Sequence, residues 1–282
     1  EPGDKVIIFT PVYPPFSEVV KMQGREICES KLIDSDGYYT IDFENLEKLA
    51  SDPKVKLILL CNPHNPGGRV WTREELENVE RIARKNNLIV VSDEIHSDIV
   101  FEPLKHTCYG TIDGSKDHCV VCHAASKTYN IAGLQCSNII IENKELYDKF
   151  VNVNLSRGIE RANVLGMVAT KAAYEKAGDW KKEMKNVIAE NFEVLQKFFE
   201  NKKEFKLAKT EASFLAWLNY KNLNISHEKF MEALNEFHFL AADGLDYGEA
   251  GEYYIRINVG LPKDKLIENL ERFEKCIQSI KN

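Results

Sequence analysis

Short, nearly continuous runs of apolar residues alternate along the chain with longer segments whose apolar residues recur every three or four positions. The first pattern is typical of β-strands covered on both faces, and the second is typical of amphipathic α-helices. Their alternation predicts βαβ units and a largely parallel sheet. The predicted strands are residues 5–9, 56–61, 88–92, 119–123 and 137–142.

The strongest helix signal lies at residues 72–85. Thr72 and Glu75 have the spacing of a capping box, and Leu76 and Val79 begin an apolar stripe. Further helices are predicted at residues 16–23, 42–50, 144–154 and 163–176.

The pattern changes after about Gly178. A long helix is predicted there, followed by strand, helix and strand, and the last helix opens with Pro262. We therefore predict a large domain at residues 1–178 and a small α+β domain at residues 179–282. The predicted elements of the small domain are a helix at 180–200, a strand at 212–220, a helix at 227–236 and a strand at 253–259.

Composition narrows the class of protein. The chain has 282 residues, 44% hydrophobic and 29% charged, with a formal net charge of −7, which argues against nucleic acid or an anionic membrane as partner. No apolar run approaches the roughly 20 residues of a membrane span, and no signal segment opens the chain. The seven cysteines, an odd number, fit reduced thiols, so we expect a cytoplasmic protein.

Cys119 and Cys122, flanked by His118 and His123, resemble part of a metal site. A second ligand pair at the spacing of a zinc finger does not follow, and residues three apart on a strand point to opposite faces. We therefore predict no metal. The turn at Glu1 leads directly into an apolar strand, from which we expect that the chain lacks an N-terminal part of its large domain.

Three polar side chains follow predicted strands in order along the chain: Asn65, Asp93 and Lys127. Each alone has an ordinary explanation, as a turn asparagine, a strand-terminal carboxylate or a surface lysine. Together they suit pyridoxal phosphate, because an amine can form a Schiff base with its aldehyde and a carboxylate can pair with its protonated ring nitrogen. The amide can hydrogen-bond the 3-oxygen of the ring.

Four motifs carry a family resemblance: Asn65-Pro-Gly-Gly, Asp93-Glu-Ile-His96, Ser126-Lys127 and Tyr254-Ile-Arg256-Ile-Asn-Val-Gly. Together they resemble the fold-type I pyridoxal-phosphate enzymes, the aspartate aminotransferase superfamily, and within it the cystathionine β-lyase branch. The resemblance implies an α/β fold with a mainly parallel, seven-stranded type of sheet in the large domain, N-terminally incomplete here, plus a small α+β domain.

The resemblance also implies roles for the site residues. Lys127 would be the Schiff-base lysine, Asp93 the partner of the pyridine nitrogen and Asn65 the ligand of the 3-oxygen. Tyr13 would stack on the ring, and Arg256 would bind the α-carboxylate of the substrate.

Three further positions bear on reaction type and phosphate binding. His96 stands where typical aminotransferases carry tyrosine, which favours a lyase. Ser126 would donate its hydroxyl to the phosphate, and Asn62 would be structural. Gln135 stands where many relatives carry a phosphate-binding arginine.

We therefore expect a pyridoxal-phosphate carbon–sulfur β-lyase that acts on an amino acid such as cystathionine, as a homodimer, without nucleic acid or membrane partners. The first alternative is an aminotransferase of the same fold, which shares every residue above. The second is a non-catalytic regulatory module, although such a module has little need for Lys127.

Overall fold

The structure is a computed structural model that describes residues 1–281. Over residues 5–140, three α-helices lie among eight strands, and the last three of these strands follow one another without an α-helix between them. The strands are β1 (Lys5–Ile8), β2 (Glu26–Glu29), β3 (Ile33–Ser35), β4 (Tyr38–Thr40), β5 (Val55–Cys61), β6 (Ile89–Asp93), β7 (Cys119–His123), β8 (Asn138–Ile140), β9 (Lys206–Leu207), β10 (Leu215–Asn219), β11 (Ala242–Asp243) and β12 (Tyr254–Asn258). The helices are α1 (Pro15–Met22), α2 (Phe43–Ala50), α3 (Arg73–Lys85), α4 (Lys144–Ser156), α5 (Val164–Lys176), α6 (Gly178–Phe199), α7 (His227–Glu236) and α8 (Lys263–Lys281).

The main sheet has the strand order β2-β1-β5-β6-β7-β8, and all its neighbouring pairs are parallel except β7 with β8. The prediction of a mainly parallel α/β sheet is confirmed. Asp93 pairs in register with Cys61 on one side and with Cys122 on the other. The carboxyl ends of β5, β6 and β7 therefore lie side by side, where ligands bind in open α/β sheets.

Local signals account for the helices that flank this sheet. The hydroxyl of Thr72 accepts a hydrogen bond from the backbone N–H of Glu75, and the carboxylate of Glu75 accepts one from the backbone N–H of Thr72. The predicted capping box of α3 is therefore confirmed. Leu76 and Val79 are fully buried against the sheet. The apolar stripe of α3 thus closes one face of the core.

The last strand of the main sheet differs from its prediction. Residues 137–142 were expected to form a strand covered on both faces, but β8 is antiparallel, and Asn138 and Ile140 are exposed. Within residues 1–281, β8 pairs only with β7. An edge strand leaves part of its surface open, which an apolar run alone does not reveal.

The smaller sheet has the order β11-β12-β10-β9 and is antiparallel. Side chains alternate along its strands. Ile255 and Ile257 face a core shared with α6, α7 and α8, whereas Tyr254 faces the main sheet and stacks on Trp217 at 4.8 Å. The Nε1 of Trp217 donates a 3.0 Å hydrogen bond to the hydroxyl of Tyr39. Because the alternation continues, Arg256 also lies on the side of the main sheet.

The two sheets lie on either side of α6 in sequence. The division into domains at residues 1–178 and 179–282 remains a proposal, which the start of α6 at Gly178 supports. In the part of the chain that the structure describes, no helix is both long and apolar enough to span a membrane.

Candidate active site

Every predicted site residue except Arg256 lies at the carboxyl edge of the main sheet, because each stands at or after the end of one of its strands. Tyr13 lies in the loop after β1, and Asn65 lies in the turn after β5. Asp93 is the last residue of β6, and Lys127 lies in the loop after β7. Parallel strands that are adjacent in the sheet bring these loops together.

Asn65 is nearly buried and connects three parts of the site. Its backbone oxygen accepts a 3.1 Å hydrogen bond from the backbone N–H of Tyr13. Its side-chain oxygen accepts a 3.3 Å hydrogen bond from Nη1 of Arg256. Asn62, fully buried in the same turn, instead donates a 3.0 Å hydrogen bond to the backbone oxygen of Thr107. Asn65 is thus the asparagine of this turn that reaches the site.

Asp93 has little compensation for its charge. Its carboxylate accepts a 3.1 Å hydrogen bond from the backbone N–H of Ile95, and no ion pair within residues 1–281 involves it. Burial raises the pKa of Asp93 above its ordinary value, although that backbone hydrogen bond and the positive charge of Lys127 act in the opposite direction. A cation placed against this carboxylate would favour its ionised form.

Lys127 lies in a turn in which the backbone N–H of Tyr129 donates a 2.9 Å hydrogen bond to the oxygen of Ala125. Ser126 and Thr128 on either side are buried, whereas Lys127 is partly exposed. Among the described residues, no carboxylate forms an ion pair with its amine. The amine is therefore available to a ligand.

His96 is buried next to these charges. Burial, together with the positive charges of Lys127 and Arg256, lowers the pKa of His96 to about 3. Its ring meets Phe214 edge-on at 5.7 Å, and its Nδ1 has no hydrogen-bond partner within the described 281 residues. At neutral pH, His96 is therefore uncharged, and its Nδ1 can form a hydrogen bond with a ligand.

Arg256 reaches the site from the smaller sheet. It is partly buried on β12, and its guanidinium carbon lies 5.1 Å from the ring centre of Tyr247. An arginine held over an aromatic face keeps its charge and its donors, which suits a carboxylate ligand.

These residues fit the pyridoxal phosphate that the sequence resemblance implies. Asp93 lacks a cation, Lys127 lacks an anion, and the two lie close enough for the charge of Lys127 to act on the pKa of Asp93. A protonated pyridine nitrogen would neutralise the charge of Asp93, and an aldehyde would react with the amine of Lys127. Asn65 bonds to the backbone of Tyr13 and to the side chain of Arg256, and Ser126 directly precedes Lys127.

The residue that holds the loop of Lys127 in place, Asp98, was not predicted from the sequence. Asp98 accepts a 3.3 Å hydrogen bond from the hydroxyl of Thr128 and a 3.0 Å bond from the amine of Lys181 on α6. Its position two residues after the motif Asp93-Glu-Ile-His96 was the only signal. Tyr247 and Phe214, which contact Arg256 and His96, had no recognisable signal because their contacts come from a separate part of the chain.

Comparison with known proteins agrees with this geometry. A family model described as aminotransferase class I and II matches residues 1–273. Cystathionine beta-lyase PatB of Bacillus subtilis is 38% identical over 280 residues, covering 98% of this chain and 72% of that protein. Protein MalY of Escherichia coli is 30% identical, covering 100% and 72%. The crystal structure of cystalysin from Treponema denticola, which contains a pyridoxal 5'-phosphate cofactor, superposes with a TM-score of 0.97 at 37% identity, covering 99% of this chain and 72% of that one.

Proposed function

The chain belongs to the class I and II aminotransferase family, and on that premise we propose that it is a pyridoxal-phosphate-dependent carbon–sulfur β-lyase. The observation that carries the proposal is the pairing of an uncompensated carboxylate, Asp93, with an unpaired amine, Lys127, at the edge of a parallel sheet. The relative named cystathionine beta-lyase PatB supports the choice of reaction.

When bound, pyridoxal phosphate supplies an aldehyde for the substrate amine and a ring that accepts the electron pair of a broken Cα–H bond. Lys127 would hold the aldehyde group, and its amine would accept the Cα proton of the substrate. Asp93 would pair with the protonated ring nitrogen. Asn65 would bind the 3-oxygen, Tyr13 would stack on the ring, and Ser126 would donate to the phosphate.

Arg256 holds the α-carboxylate of the substrate and thereby fixes which Cα bond Lys127 meets. The reaction consumes a thioether amino acid and water. The Cα–H and Cβ–S bonds break, and the products are a thiol, pyruvate and ammonium. Cystathionine is a substrate of this class.

An aminotransferase remains the second candidate because the matching family model includes that activity. His96 supports the lyase. With a pKa lowered to about 3, it is an uncharged neighbour of Lys127 at neutral pH and cannot deliver a proton as a cation. The two reactions differ in one requirement, because an aminotransferase needs a keto-acid acceptor for every turnover.

We further propose a homodimer. Large apolar side chains are exposed on α4 and α5 and between them, beside the open edge of β8, and a patch of this kind marks an interface. The exposed residues are Tyr147, Phe150, Val153, Leu155, Ile159, Val164, Leu165, Met167, Val168 and Tyr174. Light scattering after size exclusion tests this proposal. Leu165→Glu should yield a monomer, and Leu240→Glu, on the smaller domain, should not.

The proposed activity is tested by absorbance spectra of the protein with pyridoxal phosphate, before and after addition of L-cystathionine, with pyruvate assayed alongside. A lyase releases pyruvate without a keto-acid. Lys127→Ala should lower the rate by at least about 100-fold, whereas Lys105→Ala, at an exposed lysine outside the site, should not. Pyruvate at the normal rate from Lys127→Ala would refute the assignment. A visible band that shifts without pyruvate would favour the aminotransferase, and no band in folded protein would favour a module that does not bind the cofactor.

A further inference from the structure

A second chain of polar side chains lies beside the smaller sheet, apart from the carboxyl edge of the main sheet. His227 is the first residue of α7 and is 9% exposed. Its Nδ1 lies 2.5 Å from the hydroxyl of Tyr220, which is fully buried. Its Nε2 lies 2.9 Å from Oδ2 of Asp243 on β11. None of these three residues belongs to the site proposed for the cofactor.

The chemistry of the three groups determines where the neutral imidazole of His227 carries its hydrogen. An ionised carboxylate only accepts hydrogen bonds, so Nε2 carries the hydrogen and donates it to Asp243. Nδ1 then accepts a hydrogen bond from the hydroxyl of Tyr220. Both ring nitrogens thus have a partner although the side chain is buried. A buried polar chain in which every group is satisfied holds its members in one arrangement.

Asp243 connects this chain to the support of Arg256. Its second oxygen, Oδ1, accepts a 2.8 Å hydrogen bond from the backbone N–H of Leu245 and so caps the 3₁₀ helix Gly244–Tyr247. Tyr247, the last residue of that helix, is buried. Its ring centre lies 5.1 Å from the guanidinium carbon of Arg256. The position of Asp243 therefore bears on the position of the ring against which Arg256 rests.

The segment that follows Asp243 has little freedom to absorb a displacement. A Cβ atom on Gly244 would collide with the backbone oxygen of Gly251, so the backbone packs closely on itself there. The backbone oxygen of Tyr247 also accepts a 3.1 Å hydrogen bond from the backbone N–H of Val12. Because closely packed segments transmit strain, a displacement of Asp243 is passed on to Tyr247.

Few contacts hold the guanidinium of Arg256. It donates one 3.3 Å hydrogen bond to Asn65 and lies over the ring of Tyr247. In the part of the chain that the structure describes, no carboxylate forms an ion pair with it. An arginine side chain loses rotamer entropy when it binds a ligand, so a fixed ring beneath it raises its affinity for a carboxylate.

We propose that His227 is a positioning residue for the α-carboxylate site. Through Asp243 and Tyr247, it holds the guanidinium of Arg256 where the carboxylate of the substrate binds, and it does not touch the substrate itself. The effect on catalysis rests on the proposed lyase function, whereas the effect on Arg256 can be measured without substrate or cofactor.

Steady-state kinetics with L-cystathionine and protein loaded with pyridoxal phosphate test the effect on catalysis. His227→Asn has no donor at the position of Nε2, so KM should rise about fivefold. The value of kcat should stay within about twofold, because Lys127 is unchanged and substrate binding alone is weakened. His227→Gln places an amide N–H group where Nε2 stands and should restore most of the affinity.

Asp243→Asn alters the other side of the same hydrogen bond. The amide oxygen still caps the 3₁₀ helix, but the amide N–H group then faces Nε2 of His227. Either two donors meet, or the imidazole moves its hydrogen to Nδ1 and the hydroxyl of Tyr220 loses its acceptor. KM should therefore rise as in His227→Asn. Asp246→Asn, at an exposed aspartate of the same short helix, is the matched control and should change neither KM nor kcat.

A measurement without turnover follows the guanidinium itself. Phenylglyoxal modifies arginine side chains at a rate that depends on their accessibility, and peptide mass spectrometry assigns the rate to each arginine. In cofactor-free protein, Arg256 should react about threefold faster in His227→Asn and Asp243→Asn than in the original protein, because its support opens locally. The buried Arg69 and the exposed Arg161 are internal references and should keep their rates.

The outcomes separate the two proposals. An equal rate of modification of Arg256 in all the proteins would overturn the inference. A parallel rise for Arg69 would also overturn it, because the fold as a whole would then have loosened. Absence of pyruvate from the original protein would contradict the proposed lyase function, and the modification rates would still decide the role of His227.

Discussion

Nη1 of Arg256 donates a 3.3 Å hydrogen bond to the side-chain oxygen of Asn65. Arg256 belongs to the smaller sheet, and Asn65 follows a strand of the main sheet. The bond therefore joins the proposed carboxylate site to the proposed cofactor site. If the proposed roles hold, a substrate bound at Arg256 and a ring oriented by Asn65 would be coupled through this contact.

Arg256→Lys tests the proposed carboxylate site. Lysine keeps the charge but loses the paired donors of guanidinium and the bond to Asn65. We expect kcat/KM for the thioether substrate to fall roughly 10- to 100-fold, mainly through KM, as for loss of a hydrogen bond between charged groups. Steady-state kinetics measure this. Arg161→Lys, at an exposed arginine, should leave kcat/KM unchanged, and an equal KM in both variants would exclude Arg256 as the carboxylate ligand.

Asp93→Asn should lower the catalytic rate but raise the stability of the cofactor-free protein. Loss of the carboxylate should lower pyruvate release about 100- to 1,000-fold, because the ring nitrogen loses its charged partner. In cofactor-free protein, burial raises the pKa of Asp93 in the folded state above its value in the unfolded chain. The free energy of unfolding therefore falls as the pH rises from the unfolded pKa through the folded pKa, because the folded protein must then bury the ionised carboxylate. Asp93→Asn should therefore raise the urea midpoint of the cofactor-free protein at neutral pH.

Asp113→Asn, at an exposed aspartate, is the control for both measurements. A lower urea midpoint for Asp93→Asn than for Asp113→Asn would contradict the picture of an uncompensated carboxylate.

His96 should make the protein sensitive to acid. Its folded pKa is lowered to about 3, below the ordinary value of 6.5, so the unfolded chain binds a proton first. Stability is complete above pH 6.5 and falls as pH decreases towards 3, by about 1.4 kcal/mol per pH unit for this histidine. His96→Asn should reduce the slope of unfolding free energy against pH in this window, measured by urea unfolding. His238→Asn, at an exposed histidine, should keep the slope of the original protein, and equal slopes in all three proteins would refute the prediction.

Arg69 should hold the turn that carries Asn65. Its buried guanidinium donates to Glu211 at 3.0 Å and to Glu75 at 2.9 Å. Arg69→Met leaves Glu211 buried without a cation, which should cost about 3–5 kcal/mol of unfolding free energy. Urea unfolding measures this cost.

Arg73 provides the comparison because its pair with Glu77 is 54% exposed on both sides. Arg73→Met should cost less than about 1 kcal/mol. If Arg69→Met lowers the unfolding free energy by as little as Arg73→Met does, the buried ion pairs of Arg69 contribute little to the stability of this turn.

Elements with a strong local signal were predicted well from sequence. The bounds of β7 agree to the residue with those predicted, and α3 begins directly after Thr72, because capping and apolar runs act over a few residues. The short strands β2, β3, β4, β9 and β11 were not predicted. They contain few buried apolar residues, so their pairing depends on neighbours distant in sequence.

The sequence by itself determined the fold class and the family, and it placed Asn65, Asp93 and Lys127 at the ends of successive strands. It could do so because strands of a parallel sheet end at one edge, so their order along the chain predicts their meeting. Only the tertiary structure decided the rest. It brought Arg256 to Asn65 across 191 positions of sequence, and it set the pKa of His96 and Asp93 through burial. Desolvation and contacts between residues far apart in sequence depend on the packed chain around each group, and no local pattern of residues contains this information.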